Sequence, residues 1–248
     1  MAPAVTTTDA PSRRLPALSW IPEEGQLFWM VATAPGRGFA ALAARPAWLL
    51  LFLVVFGLNA AYTRPMLPLA TQAALSEVST KAGPQSADGE ARIGRQVRTG
   101  QIIGIVMSPV LLLFKWLAVA MLLWAAVTLV GGYVSLRAMF SLAAHANVPL
   151  ILGYFMNLQL LLVRGPDAIG GLDDLRPRLG LNAFLPGASP GIDVWLGSIG
   201  PLDVWFVLLL VIGLEQMAQV SRRTAVGLAL GYWLLSTGLQ ASLAGFGR

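Results

Sequence analysis

Between Arg98 and Arg137 the chain carries a single charged residue, Lys115. A helix needs about 20 mostly apolar residues to cross the hydrocarbon of a bilayer. The stretch from Pro109 to Val130 supplies them, so the sequence predicts a transmembrane segment there. Lipid offers no partners to backbone amides, which means such a segment has to be helical.

Four further apolar blocks follow the same logic, at 46–62, 136–163, 202–220 and 225–246. The fold class read from them is all-α: a polytopic membrane helix bundle with about five transmembrane helices and interfacial helices. Composition agrees, with 56% hydrophobic and 12% charged residues, against roughly 25% charge in soluble domains. A soluble core of this size could not hide so much apolar surface.

The net charge of +5 does not point to nucleic acid. The 17 basic residues are scattered between apolar blocks, where flanking arginines orient helices. No basic helix or aromatic platform accompanies them. The absence of cysteine removes disulfides, thiolate nucleophiles and most zinc or iron–sulfur chemistry. The N-terminus reads as lacking a signal peptide, since the first long apolar run starts only near Pro46.

Residues 1–44 form a polar, Pro-rich tail that becomes amphipathic through Leu27–Val31 and Phe39–Ala43, a pattern expected to lie on the membrane surface. The transmembrane domain then covers 45–248. Its first span is flanked by Arg45 and Arg64. Residues 63–100 read as a long outer connection, in which Arg92, Arg95 and Arg98 share a helix face. Ser108 and Pro109 sit in cap and first-turn positions of the second span. Lys115 costs that span about 3 kcal/mol, which its twelve Leu, Val and Phe residues offset at about 0.3 to 0.6 each.

Gly131 and Gly132 are expected to end the second span, glycine being the residue for a left-handed cap. Ser135 caps the third. Pro149 is placed to kink that third span, whose polar members are His145, Asn147, Asn157 and Gln159. A second outer connection, 164–203, contains a short interfacial helix at Ile192–Leu196. Spans four and five are separated by Ser221–Thr224 and form an antiparallel hairpin. Arginines at 13, 14, 37, 45, 137, 222 and 223 then fall on one side, which places the N-terminus in the cytoplasm and the C-terminus outside.

Three segments carry a family likeness: Ala32–Trp48 (ATAPGRGFAALAARPAW), Gly131–Leu152 (GGYVSLRAMFSLAAHANVPLIL) and Trp195–Arg223. From Trp29 onward the chain resembles the Yip family (Ypt-interacting proteins) in its bacterial branch. The resemblance implies five spans and a cytoplasmic N-terminus, in the inner membrane of a bacterium. Eukaryotic relatives bind small GTPases through an Asp-Leu-Tyr-Gly-Pro motif, which is absent here, so GTPase binding is not carried over. Bacterial members look like accessory subunits, some linked to ABC-type exporters with membrane-fusion partners.

No residue set reads as an active site, and no cofactor is expected. Lys115 and Glu215 are the ionisable residues deep in the spans, where such residues usually face the bundle interior. They could pair and lock span two to span four. Alternatively, Lys115 snorkels to the headgroups, while Glu215, Gln219 and Arg222 form a local stripe at i, i+4 and i+7. His145 is the sole histidine, which excludes a multi-histidine metal site, and reads as a capped or interfacial histidine beside Asn147. Gly227 and Gly231 form a G-x-x-x-G that suits close helix packing, either against a neighbouring span of the same chain, with Gly213 a plausible opposite number, or in a dimer. Asp167, Asp173, Asp174, Asp193 and Asp203 fit no calcium-loop spacing and read as turn and cap carboxylates. The functions left standing are a non-catalytic scaffold or accessory subunit, with membrane lipids and membrane proteins as partners, and a small permease with a polar path through Lys115 and Glu215.

Overall fold

The computed structural model describes residues 20–84, 86–165, 171, 175, 178–185 and 187–246. Its helices are α1 (Trp20–Thr33), α2 (Pro35–Ala44), α3 (Leu49–Ala82), α4 (Ala87–Leu129), α5 (Leu136–Ala146), α6 (Val148–Arg164), α7 (Pro190–Gly197), α8 (Pro201–Ala218) and α9 (Arg222–Phe246). A short 3₁₀ turn spans Leu181–Phe184. The fold is an all-α membrane helix bundle, as the apolar blocks require.

Four stretches are long and apolar enough to cross a membrane: Leu49–Ala82, Ala87–Leu129, Leu136–Val163 and Pro201–Ala218. Only 6% of the apolar window of α3 is buried inside the protein. Side chains such as Leu53 and Val54 of α3, and Leu111 and Phe114 of α4, face outward, where lipid, rather than water, is the solvent that tolerates them. The expected fifth span is α9, a helix of 25 residues. It is less apolar than the other four because Gly227, Gly231, Ser236, Thr237, Gly238, Gln240 and Ser242 interrupt it.

Helix α8 is the hub. Its Phe206, Leu209, Leu210 and Leu214 pack in one cluster with Phe39 and Leu42 of α2, Met139 and Leu142 of α5, Leu123 of α4, and Ala225 and Ala229 of α9. Close approach is possible at Gly213, where a Cβ would lie 2.9 Å from Leu142 and 3.2 Å from Phe39. Val31, Phe39 and Leu42 are fully buried while Trp29 is exposed, so part of the apolar surface of α1–α2 is covered by protein.

Glu24 fastens the same segment to α3. Its carboxylate accepts from the backbone N–H of Leu50 at 2.7 Å, capping from a distant helix an N-terminus that Trp48 cannot cap itself. A negative charge there also meets the positive end of the helix dipole. Glu23 pairs with Arg45 nearby, but both are exposed, so that pair contributes little.

The expected outer connection at 63–100 is almost wholly helical. Pro65 and Pro68 lie inside α3, and Met66, Leu69 and Ala73 on the same stretch pack against Leu158 and Leu161 of α6. This packing outweighs the hydrogen bonds that the prolines forfeit. Helix α4 begins not at Ser108 but at Ser86, whose hydroxyl accepts from Gly89 N–H at 3.3 Å. Pro109 falls within the helix.

The turn after α4 uses its two glycines differently. Gly131 has φ +80°, and the amides of Gly131 and Gly132 donate to Thr128 and Val127 carbonyls at 3.1 and 2.9 Å. That is the Schellman pattern. At Gly132 a Cβ would lie 2.7 Å from both Val127 and Val220, because this turn packs against the connection between α8 and α9. Ser135 then caps α5, accepting from Ala138 N–H at 3.2 Å.

Pro149 does not kink one helix but separates two. It falls in the first turn of α6, and Asn147 is both the last cap of α5 and the first of α6. The Asn147 side chain donates to Ala143 O at 2.6 Å while its own amide turns to Ala144 O at 3.2 Å. The joint thus satisfies locally what the proline leaves open. The α8–α9 connection is also shifted: α8 ends at Ala218, and residues 219–221 form the link.

Candidate functional site

Helices α3, α4 and α6 leave a cavity of about 360 Å³ between them. Apolar side chains including Val55, Leu112 and Ile151 line it, together with Asn59, Tyr62, Ser108, Lys115, Asn147 and Tyr154. Among the described residues, no acidic one lines it. Trp116 forms part of the wall and is fully buried, with ring centroids 6.4 Å from Phe52 and 6.2 Å from Phe140. Its indole N–H has no acceptor among the described residues.

Lys115 is exposed rather than buried in protein. It stands fourteen residues before Leu129, the last residue of α4, which is about 21 Å along a helix axis. For a hydrocarbon core about 30 Å thick that begins at Leu129, this puts the ammonium nearer the interface on the side of the α3–α4 tip, residues 83–86. Its flexible stem can reach toward that interface.

Glu215 is not part of this cavity. Two ion pairs occur among the described residues, Arg45–Glu23 and Lys81–Glu77, and neither involves Lys115 or Glu215. The structure does not bring the two together. The stripe of Glu215, Gln219 and Arg222 is broken as well: Gln219 takes the left-handed conformation, φ 53°, and ends α8, while Arg222 opens α9. Helical spacing does not persist through such a residue.

His145 is buried and its Nδ1 lies 2.9 Å from Ser141 O. A carbonyl only accepts, so Nδ1 carries the proton. The ring and the Asn147 side chain both bond back onto the last turns of α5, at Ser141 O and Ala143 O. Gly227 and Gly231 meet nothing that a Cβ would touch within 4 Å, so Gly213 is not their counterpart and their face of α9 is open. Asp193 and Asp203 lie in the first turns of α7 and α8. Asp167, Asp173 and Asp174 lie outside the described residues.

Sequence reasoning missed Glu24, Ser141, Trp116 and the cavity. Asn59, a lone polar residue within the first apolar block, was the available signal for the cavity. Nothing in the sequence marks Ser141.

Helices of this length and apolarity, packed on a central α8, define a multi-pass integral membrane protein. The Yip1 domain family matches residues 29–243. The chain belongs to that family, whose members are generally linked to vesicle trafficking and are not known as enzymes. No curated protein and no solved structure matches it.

Proposed function

We propose that this chain is a non-catalytic scaffold or accessory subunit of a larger membrane complex, and that the α3–α4 hairpin receives the partner. One observation carries the reading. At 34 and 43 residues these helices are about 51 and 65 Å long, while the hydrocarbon takes up only about 30 Å. The surplus holds Glu77, Lys81, Asp88, Glu90, Arg92, Arg95 and Arg98, which lipid would reject. It therefore stands clear of the bilayer as a two-helix arm.

Arginine placement in the short connections supports an N-terminus in the cytoplasm and an arm outside, and the likeness to bacterial members of the family supports an inner membrane. A membrane-fusion partner of an ABC-type exporter is a protein the arm could meet there. The exposed Arg92, Arg95 and Arg98 face suits an acidic surface on such a partner. A permease path through Lys115 and Glu215 draws no support from the cavity, which contains the first and not the second.

Photo-crosslinking residues at positions 92, 95 and 98, in native membranes, should each capture the same membrane-associated protein. Positions 111 and 114, on the lipid-facing side, should not. Capture of nothing, or of the same proteins from all five positions, would remove the proposal.

A further inference from the structure

The cavity between α3, α4 and α6 has an unusual balance of groups for a membrane interior. Among the described residues that line it there is one cation, Lys115, and no carboxylate to neutralise it. No ion pair among the described residues involves that lysine. Trp116, fully buried in its wall, has an indole N–H without an acceptor. Buried donors that lack a partner cost about 1–3 kcal/mol and call for an acceptor from outside the chain.

We propose that this cavity binds one anionic phospholipid from the leaflet on the side of the α3–α4 tip. The depth argument fixes the orientation. The lipid phosphate meets the Lys115 ammonium, with Asn59, Tyr62 and Ser108 lining the same cavity. One acyl chain passes down the apolar wall formed by residues such as Val55, Leu112 and Ile151. The volume of about 360 Å³ is at the small end of ligand sites, roughly 300–1,000 Å³. It admits one chain, and the second chain stays in the bilayer. A zwitterionic lipid presents its own cation beside the phosphate, so the unneutralised lysine selects for net negative headgroups. This inference does not depend on the scaffold reading, since it concerns the membrane-embedded part of α3 and α4 rather than the arm.

The test uses the full-length chain in nanodiscs containing phosphatidylglycerol and phosphatidylcholine, followed by native mass spectrometry of the retained lipids. One phosphatidylglycerol should remain on the wild type. Lys115→Gln should retain it roughly tenfold less, the loss of one charge-assisted contact, and Lys115→Arg should retain it. Equal retention by wild type and Lys115→Gln would overturn the proposal. So would retention that survives Lys115→Gln but is lost when Arg92, Arg95 and Arg98 are changed to Gln, which would place the lipid on the arm.

A second readout needs no lysine variant. Phosphatidylglycerol with a brominated chain should quench tryptophan fluorescence more than brominated phosphatidylcholine does. That headgroup-dependent part should vanish in Trp116→Phe. Quenching that ignores the headgroup contradicts the assignment.

Discussion

Ser141 of α5 and Ala47, just ahead of α3, hold each other across 94 residues of chain by two hydrogen bonds. The Ser141 hydroxyl donates to Ala47 O at 2.6 Å and accepts from Ala47 N–H at 3.3 Å. Both residues are buried. One small side chain thus satisfies the backbone where the α2–α3 connection turns, and ties the N-terminal helices to the central bundle.

Ser141→Ala removes that pairing and leaves a buried N–H and C=O unmatched. We expect a loss of about 2–4 kcal/mol, since each orphaned group costs about 1–3. Thermal unfolding in detergent should show it as a lowered midpoint. Ser141→Thr keeps the hydroxyl and should lose less, so equal destabilisation by the two would argue that crowding, not the hydrogen bonds, matters here.

Gly131 and Gly132 should fail for different reasons. Gly131→Ala strains a residue at φ +80° and should cost about 1 kcal/mol. Gly132→Ala drives a methyl against Val127 and Val220 and should cost about 1–3 kcal/mol. Adding Val220→Ala should recover part of the second loss and none of the first. Denaturant titration of the four variants checks this, and equal recovery of both would contradict it.

The three glycines once expected to pack together should also separate. Gly213→Ala meets Leu142 and Phe39 and should lose about 1–3 kcal/mol. Gly227→Ala and Gly231→Ala point into open space, so stability should hold within about 0.5 kcal/mol. Unfolding midpoints decide it. Destabilisation at Gly227 comparable to that at Gly213 would mean that α9 packs where the structure leaves it open.

Much of this fold is legible in the sequence, because lipid leaves an apolar segment one solution, the helix. The blocks at 109–130 and 202–220 fall on α4 and α8 for that reason, passing their C-terminal ends by no more than two residues, and Ser135 reads correctly as a cap from its place after the glycines. What the sequence hides is where helices continue past the apolar blocks. Pro65, Pro68 and Pro109 look like boundaries, yet each lies within a helix, and for the α3 prolines the packing of Leu69 and Ala73 on α6 is a tertiary fact. The same holds for the candidate site. Lys115 stands out in the sequence, and Ser108 shares its helix face two turns away, but the other cavity residues, near 59 and 151, are brought to it only by packing. Gln219 hides the break in the Glu215 stripe, since nothing about a glutamine announces a left-handed residue.

The account turns on α3 and α4 running unbroken from lipid into water. Because the chain has no cysteine, single cysteines placed along these helices report on it directly. In nanodiscs, where a charged maleimide reaches both faces, cysteines at positions 80, 92 and 98 should label fully, while those at 113, 117 and 121 should stay unlabelled. Protection at 92 and 98, or labelling at 113–121, would contradict an arm that leaves the membrane.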